Sequence, residues 1–181
     1  MMRPLVKEDV QHLSVFSVSE PELWQYSLQS AAGIGNLVQY INSAIEGREA
    51  RHSYPFIIFC KKTHRYAGCT RFYEIDSVNA ACYLGYSWIG KEFQGTGVNR
   101  NSKWLMLQFA FDQCGFHRVA FRADANNKKS IRAMEAIGCV EEGLLREHMV
   151  LSDGSRRSSR LFSLLRSDWE KEIREKLHAM L

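Results

Sequence analysis

The sequence predicts an α/β fold of one domain with a mixed sheet, and three observations carry that prediction. The first third holds two segments with helical periodicity. Three strand-like runs at 54–60, 67–73 and 81–88 then follow one another across short polar turns, the pattern of an antiparallel meander. From residue 81 the order becomes strand, helix, strand, and a crossover helix returns the chain parallel to the strand it left.

In chain order, residues 7–18 form a helix with Val10, Leu13 and Phe16 on one face. Pro21 restarts a helical turn at 21–24, since proline is tolerated at a first helical position. Gly33-Ile34-Gly35 interrupts the chain. Asn36 is the expected cap of a helix to about residue 49 that turns Leu37, Tyr40, Ile41, Ala44 and Ile45 inward. The run at 54–60 is rich in β-branched and aromatic residues, and 61–65 and 76–79 are polar turns. Residues 98–113 read as a helix apolar on nearly all sides and largely buried, ended by Gly115. A short strand at 119–123 precedes a helix at 128–137, stopped by Gly138. The runs 144–151 and 158–165 flank Ser152-Asp153-Gly154-Ser155, a β-hairpin signal. A charged helix at 168–180 carries Trp169, Ile173 and Leu177 on one side; whether they pack on their own sheet or in a homodimer stays open.

A chain of 181 residues, 45% apolar and 24% charged, has the balance of an ordinary globular domain with a full core. No apolar run reaches the roughly 18 residues of a membrane span, and Met1-Met2-Arg3-Pro4 begins no signal peptide. Five cysteines, an odd number without a C-x-x-C pair, argue against a disulfide framework or a zinc site and point to a reducing cytoplasm. Cys60, Cys69 and Cys82 fall in strands, where a free thiol packs as a small hydrophobe. A net charge of +4 suits an anionic cofactor, whereas a nucleic-acid partner calls for a denser basic face. The densest basic cluster, Arg156-Arg157 with Arg160, reads as the solvated edge of the hairpin or else as a substrate or partner contact.

The stretch 83–111 carries the clearest chemistry. A strand breaks into Gln94-Gly95-Thr96-Gly97 and continues as a helix. Such a turn aims unpaired backbone N–H groups, and the positive end of the helix dipole, at one point. That arrangement holds a phosphate, with glycines allowing close approach. The same glycines equally serve a plain loop that needs relief from backbone strain. Two familiar phosphate loops are excluded. A dinucleotide fingerprint needs a third glycine where Arg100 stands, and no Gly-Lys-Ser/Thr triplet follows Gly97.

These segments and their order resemble the GCN5-related N-acetyltransferase (GNAT) superfamily, in the RimJ/RimL-like branch that acetylates ribosomal-protein N-termini. Gln94-Gly95-Thr96-Gly97-Val98 matches the family's turn, with Asn99 where glycine or alanine is usual. Asn127-Lys128-Lys129-Ser130, Glu135-Ala136-Ile137-Gly138 and Glu142-Gly143-Leu144-Leu145-Arg146 match the segments that follow. The Leu84-Gly85-Tyr86-Ser87-Trp88 strand and the Asp153-Gly154 hairpin match as well. The resemblance implies a GNAT acyl-CoA N-acyltransferase fold with a splayed sheet and a short first strand just before Leu5.

It also implies acetyl-CoA as cofactor and a primary amine as acceptor: a protein N-terminus, polyamine, aminoglycoside-like amine or small amino acid. The pyrophosphate falls to the backbone of Gln94, Gly95, Thr96, Gly97, Val98 and Asn99. The pantetheine arm falls to the backbone near Ser87, Trp88 and Ile89, and the outer phosphates to Lys91, Arg100, Lys128 or Lys129. Acetyl transfer needs a deprotonated amine, an oxyanion donor and a proton for the departing thiolate. An amine of pKa about 8 to 10 is mostly charged at neutral pH. Where many relatives place the tyrosine that protonates the thiolate, this chain has Met134, which leaves Ser130 one turn earlier. Asn127 is read as a cofactor contact or as a helix cap, and Ser130 as the acid or as a serine bonded to its own backbone. The branch's usual base position holds Tyr83, so Glu74 and Asp76 at the end of the preceding strand are either its substitutes or a solvated turn, the backbone carbonyls near Trp88 with a water chain then taking the base's place. Tyr86 and His148 are candidates for lining the acceptor site or for packing. With both the tyrosine and the glutamate replaced, a non-catalytic CoA-binding module is the alternative reading.

Overall fold

The computed structural model describes residues 1–151 and 154–181, so the turn expected at Ser152-Asp153 lies outside the described residues. The strands are β1 (Met2–Pro4), β2 (Ser53–Cys60), β3 (Arg65–Asp76), β4 (Ala81–Ile89), β5 (Arg118–Asp124), β6 (Val140–Val150) and β7 (Arg156–Leu165). They form a seven-stranded mixed sheet in the order β1-β2-β3-β4-β5-β7-β6. The helices are α1 (Val10–Ser19), α2 (Ile34–Glu49), α3 (Val98–Gln108) and α4 (Lys128–Ala136). Two compact units result: Met1–Ile75 with Leu84–Lys103, and Asp76–Tyr83 with Trp104–Leu181.

In the first unit, the expected short strand is β1, whose Met2, Arg3 and Pro4 pair antiparallel with Ile58, Ile57 and Phe56. Arg3 donates to Asp9 at 2.5 and 2.8 Å, and fully buried Asp9 also accepts the Val6 N–H at 2.9 Å. A carboxylate so paired can be buried without a large desolvation cost. α1 buries Leu13 and Phe16, and α2 buries all five residues its periodicity turned inward. The start of α2 differs from expectation. Its cap is Gly33, at φ +82°, so Asn36 lies in the first turn and donates to the Ala32 carbonyl at 2.7 Å. Glycine reaches a positive φ without steric cost, and that moves the cap upstream.

The inner faces of α1 and α2 join Ile57, Cys69, Trp88 and Phe93 in one apolar cluster. β2 and β3 pair antiparallel from Ser53↔Tyr73 to Cys60↔Arg65. At Gly68, β3 comes so close to β4 that a Cβ would collide with the Trp88 carbonyl oxygen and lie 3.0 Å from its carbon.

In the second unit, β4 pairs parallel with β5 at Ala81↔Arg118, Cys82↔Val119 and Tyr83↔Ala120. The ladder ends there although β4 runs on to Ile89 and β5 to Asp124, and this is the splay of the sheet. β5 pairs antiparallel with β7, and β7 with β6. The helix expected over 98–113 is α3 followed by a π-helical turn, Phe109–Gln113. It is not apolar on all sides. Ser102, Met106, Leu107, Ala110 and Phe111 are buried, while Arg100, Asn101, Phe109 and Asp112 are exposed, so it packs by one stripe.

Trp169, Ile173 and Leu177 of the C-terminal helical segment are all buried. The Trp169 indole donates to Asp112 at 2.9 Å, and its ring packs on Phe111. The apolar side that left a dimer open is thus covered by the chain's own unit. Arg157 corrects another expectation, since it is buried rather than solvated. Its Nε donates to Ser159 at 2.9 Å and lies 3.8 Å from Asp124, because strand alternation turns it inward while Arg160 pairs with Glu141 at the edge. The five cysteines form no disulfide among the described residues, with Cys69, Cys82 and Cys139 buried, Cys60 half-buried and Cys114 exposed. Among the described residues no helix is long and apolar enough to cross a membrane.

Gly68→Ala tests the close approach of β3 to β4. The clashing atoms are backbone and cannot rotate away, so the substitution is expected to cost about 3 kcal/mol, the upper range for overpacking. A urea titration would show the lowered midpoint, and an unchanged midpoint would contradict the packing described.

Candidate active site

The site is built first by the turn between β4 and α3. Gly95 and Gly97 have φ of +76° and +87°, a region that side-chain-bearing residues rarely occupy. A Cβ on Gly95 would meet nothing within 4 Å, so open space lies over the turn. The first hydrogen bond of α3 runs from Asn101 N–H to the Gly97 carbonyl at 2.9 Å. The N–H groups of residues 95–99 donate to no group among the described residues. Five donors, a helix start and an open approach fit a pyrophosphate. The turn is fixed by its own side chains. Gln94 Nε2 donates to the Ile89 carbonyl at 2.7 Å and Thr96 Oγ1 to the Phe93 carbonyl at 2.6 Å. Trp88 and Ile89, expected beside the pantetheine arm, are both buried. The Ile89 carbonyl is already taken by Gln94.

Of the expected outer-phosphate residues, Lys91 is engaged. Its ammonium pairs with Glu22, and its N–H donates to Glu20 at 2.8 Å. Arg100, Lys128 and Lys129 are exposed.

α4, in the second unit, carries the other expected residues. Asn127 is its cap, with Oδ1 accepting the Ser130 N–H at 3.0 Å. The Ser130 hydroxyl, half-buried in the first turn, has no hydrogen bond among the described residues, so the backbone-bonded reading of this serine does not hold. Met134 is buried beside Ile131 and offers no proton.

The base candidates separate clearly. Glu74 is exposed near the end of β3, with φ +47°. Asp76 accepts the Asn79 side-chain N–H at 2.6 Å and the Val78 and Asn79 backbone N–H groups, and these bonds hold its carboxyl below the usual range. Tyr83 carries the Arg122 guanidinium over its ring at 4.0 Å. His148 Nδ1 lies 3.2 Å from the Arg157 carbonyl across the β6–β7 pair, a hairpin contact.

Two polar groups escaped the sequence reading. On β4, Ser87 shares a 2.7 Å hydrogen bond with Thr70 and receives one from Lys103 Nζ at 3.1 Å. Lys103 lies four residues past Asn99 on the same helix face, and that spacing was the available signal. The motif residue Glu142 accepts from Arg118 Nη1 at 2.6 Å and from the Ser163 hydroxyl at 2.8 Å. It links β6 to β5 and β7 and is structural.

The architecture is a mixed α/β sheet in which a strand leaves its parallel ladder and runs through a glycine turn into a helix. The chain belongs to the acetyltransferase (GNAT) domain family, whose pattern matches residues 1–140. It is 34% identical over 105 residues to YdaF of Bacillus subtilis (strain 168), provisionally named a ribosomal N-acetyltransferase. That match covers 58% of this chain and little more than half, 56%, of YdaF. A provisionally named acetyltransferase from T. thermophilus superposes with a TM-score of 0.86 at 26% identity, covering 99% of this chain and 92% of that one. Spermidine N-acetyltransferase from Vibrio cholerae, solved with CoA and spermine, shares the fold with a TM-score of 0.77 at 19% identity, covering 94% and 97%.

The Glu142 clamp predicts a pH effect. Its bond with Arg118 holds the carboxyl below its ordinary value of 4.5. The stabilisation is therefore fully present above pH 4.5 and fades as the pH falls below it. In thermal unfolding followed from pH 7 to pH 3, Glu142→Gln is expected to differ from the parent chain at pH 7 and to converge with it at the acid end. Parallel profiles would rule the clamp out.

Proposed function

We propose that the chain is an N-acetyltransferase that moves the acetyl group of acetyl-CoA directly to a primary amine. The row of unused N–H groups at 95–99, opening on empty space at Gly95, carries the reading, and membership of the family supports it. When bound, acetyl-CoA supplies a thioester carbonyl open to attack by an amine.

The chain's own residues divide the work. Gln94, Gly95, Thr96, Gly97, Val98 and Asn99 bind the pyrophosphate through backbone donors. Trp88 and Ile89 hold the pantetheine arm by backbone alone. Asn127 sets the first turn of α4 and contacts the cofactor near its sulfur. Ser130, whose hydroxyl has no other partner among the described residues, holds the proton for the departing thiolate. Glu74 receives the proton that the ammonium must lose. Asp76 does not, because the bonds of its own turn lower its basicity.

Thiol release from acetyl-CoA over a panel of amines and N-terminal peptides tests this reading. Gly95→Val is expected to raise the KM for acetyl-CoA about tenfold or more while leaving kcat within a few-fold, since its side chain enters the open space over the turn and resists the +76° φ the turn requires. Ser130→Ala is expected to lower kcat about 10²-fold with little change in KM, the scale of a lost general acid. CoA binding without turnover on any acceptor would make the chain a CoA-holding module, and failure to bind CoA would refute the cradle.

A further inference from the structure

Arg71 lies in β3 with only 6% of its surface exposed. Its guanidinium stands 4.9 Å from the Tyr40 ring centre and 4.1 Å from that of Tyr86, so aromatic faces cover it. Its Nε and Nη2 are shut from solvent and have no hydrogen-bond partner. No ion pair to Arg71 is formed among the described residues.

The groups nearby do not neutralise it. Burial pushes the Tyr40 hydroxyl up to about 12 and raises the Cys69 thiol as well, so both stay uncharged at neutral pH. The Tyr40 hydroxyl donates to the Tyr86 carbonyl at 3.2 Å. Trp88 Nε1, which bears on the same tyrosine oxygen, is also buried and unpartnered, as is Nε1 of Trp24, whose ring lies 5.1 Å from that of Trp88.

The neighbourhood is therefore rich in donors and short of acceptors. Indole N–H and guanidinium groups only donate. Cation–π contact offsets part of the cost of burying the charge but leaves Nε and Nη2 unbonded. A buried cation with orphaned donors is costly unless something arrives to pair with it. Nε and Nη2 form one edge of the guanidinium, and along that edge arginine grips a carboxylate with two parallel hydrogen bonds. The covering ring can move. Tyr86 is only half-buried, sits at a strained φ of +49°, and meets Tyr73 edge-on at 5.1 Å.

We infer that Arg71, with Tyr40, Tyr86 and Trp88, is a recognition site for a carboxylate on the acceptor, so that the preferred substrate is a primary amine that also bears a carboxylate. This rests on the N-acetyltransferase reading for the amine, and on the Arg71 geometry alone for the carboxylate. An unpaired guanidinium repels a polyamine, so the same site disfavours acceptors such as spermidine.

The test compares α- and ω-amino acids with alkylamines of the same chain length, and with spermidine, by thiol release from acetyl-CoA. At least one amino acid is expected to exceed its matched amine in kcat/KM by about tenfold or more, the scale of a bidentate charged contact. Arg71→Lys and Arg71→Gln should each reduce that ratio to within about twofold. The ratio is taken within one variant, so a loss of folded protein cancels. Preference for spermidine or plain amines in the parent chain, or a ratio that survives both substitutions, overturns the inference while leaving the acetyltransferase reading intact. If no amine turns over, calorimetric titration with butyrate still decides. Binding by the parent chain that Arg71→Gln abolishes supports the site, and no binding by the parent chain overturns it.

Discussion

Backbone hydrogen bonds left unmade around the second half of β4 are the constraint on which the rest of the molecule depends. Its parallel ladder stops at Tyr83, so residues 84–89 lack that partner on one side. The strand would be free to drift without other anchors. Gly68 brings the β3 backbone against the Trp88 carbonyl, Gly90 N–H bonds the Ala67 carbonyl at 2.9 Å, and Gln94 takes the Ile89 carbonyl. Only after these ties does the chain enter the turn whose own N–H groups stay open. Rigid support on one side and unmet donors at the end suit a group that binds by backbone contacts.

The two helices of the first unit serve the same strand. Phe16 and Trp24 pack edge-on against Trp88, at 5.7 and 5.1 Å between ring centres. The ion pair of Lys91 with Glu22, and the bond from Lys91 N–H to Glu20, join the segment after α1 to the residues just before the cradle. The helices are thus more than a cover for apolar surface. They help fix the start of the glycine turn.

Much of this was legible in the sequence because it rests on spacing. The five inward residues of α2, the glycine turn and the Trp169–Ile173–Leu177 stripe follow from periodicity and from glycine, while the short β1 followed from the family resemblance. What stayed hidden rests on side chains meeting across the fold. Nothing local marks Arg71 as buried, since its neighbours Thr70 and Phe72 read as any strand. Arg157 looked like an edge charge because Asp124, which faces it, lies far away in sequence. Spacing left Asp76 open between a base and a turn residue, and its bonds to Val78 and Asn79 show the turn. Glu74, Tyr86 and Glu147 adopt positive φ without being glycine, and no residue type announced those bends. The cap of α2 shows a smaller failure, in which a better capping residue lost to a backbone conformation that only glycine reaches easily.

Trp24 and Trp88 have one further consequence. Their indoles stand edge-to-face in the first unit, with both ring nitrogens buried and unbonded. Indole emission responds to the local electric field and to hydrogen bonding at the ring nitrogen, so this pair is an intrinsic optical probe of its own recess. Trp169 is already hydrogen-bonded to Asp112 in the second unit, and Trp104 donates to the Arg174 carbonyl at 3.3 Å. The four tryptophans therefore sort themselves into two that sense the first unit and two that sense the second, and a colour change confined to the first pair can be read in the unlabelled chain.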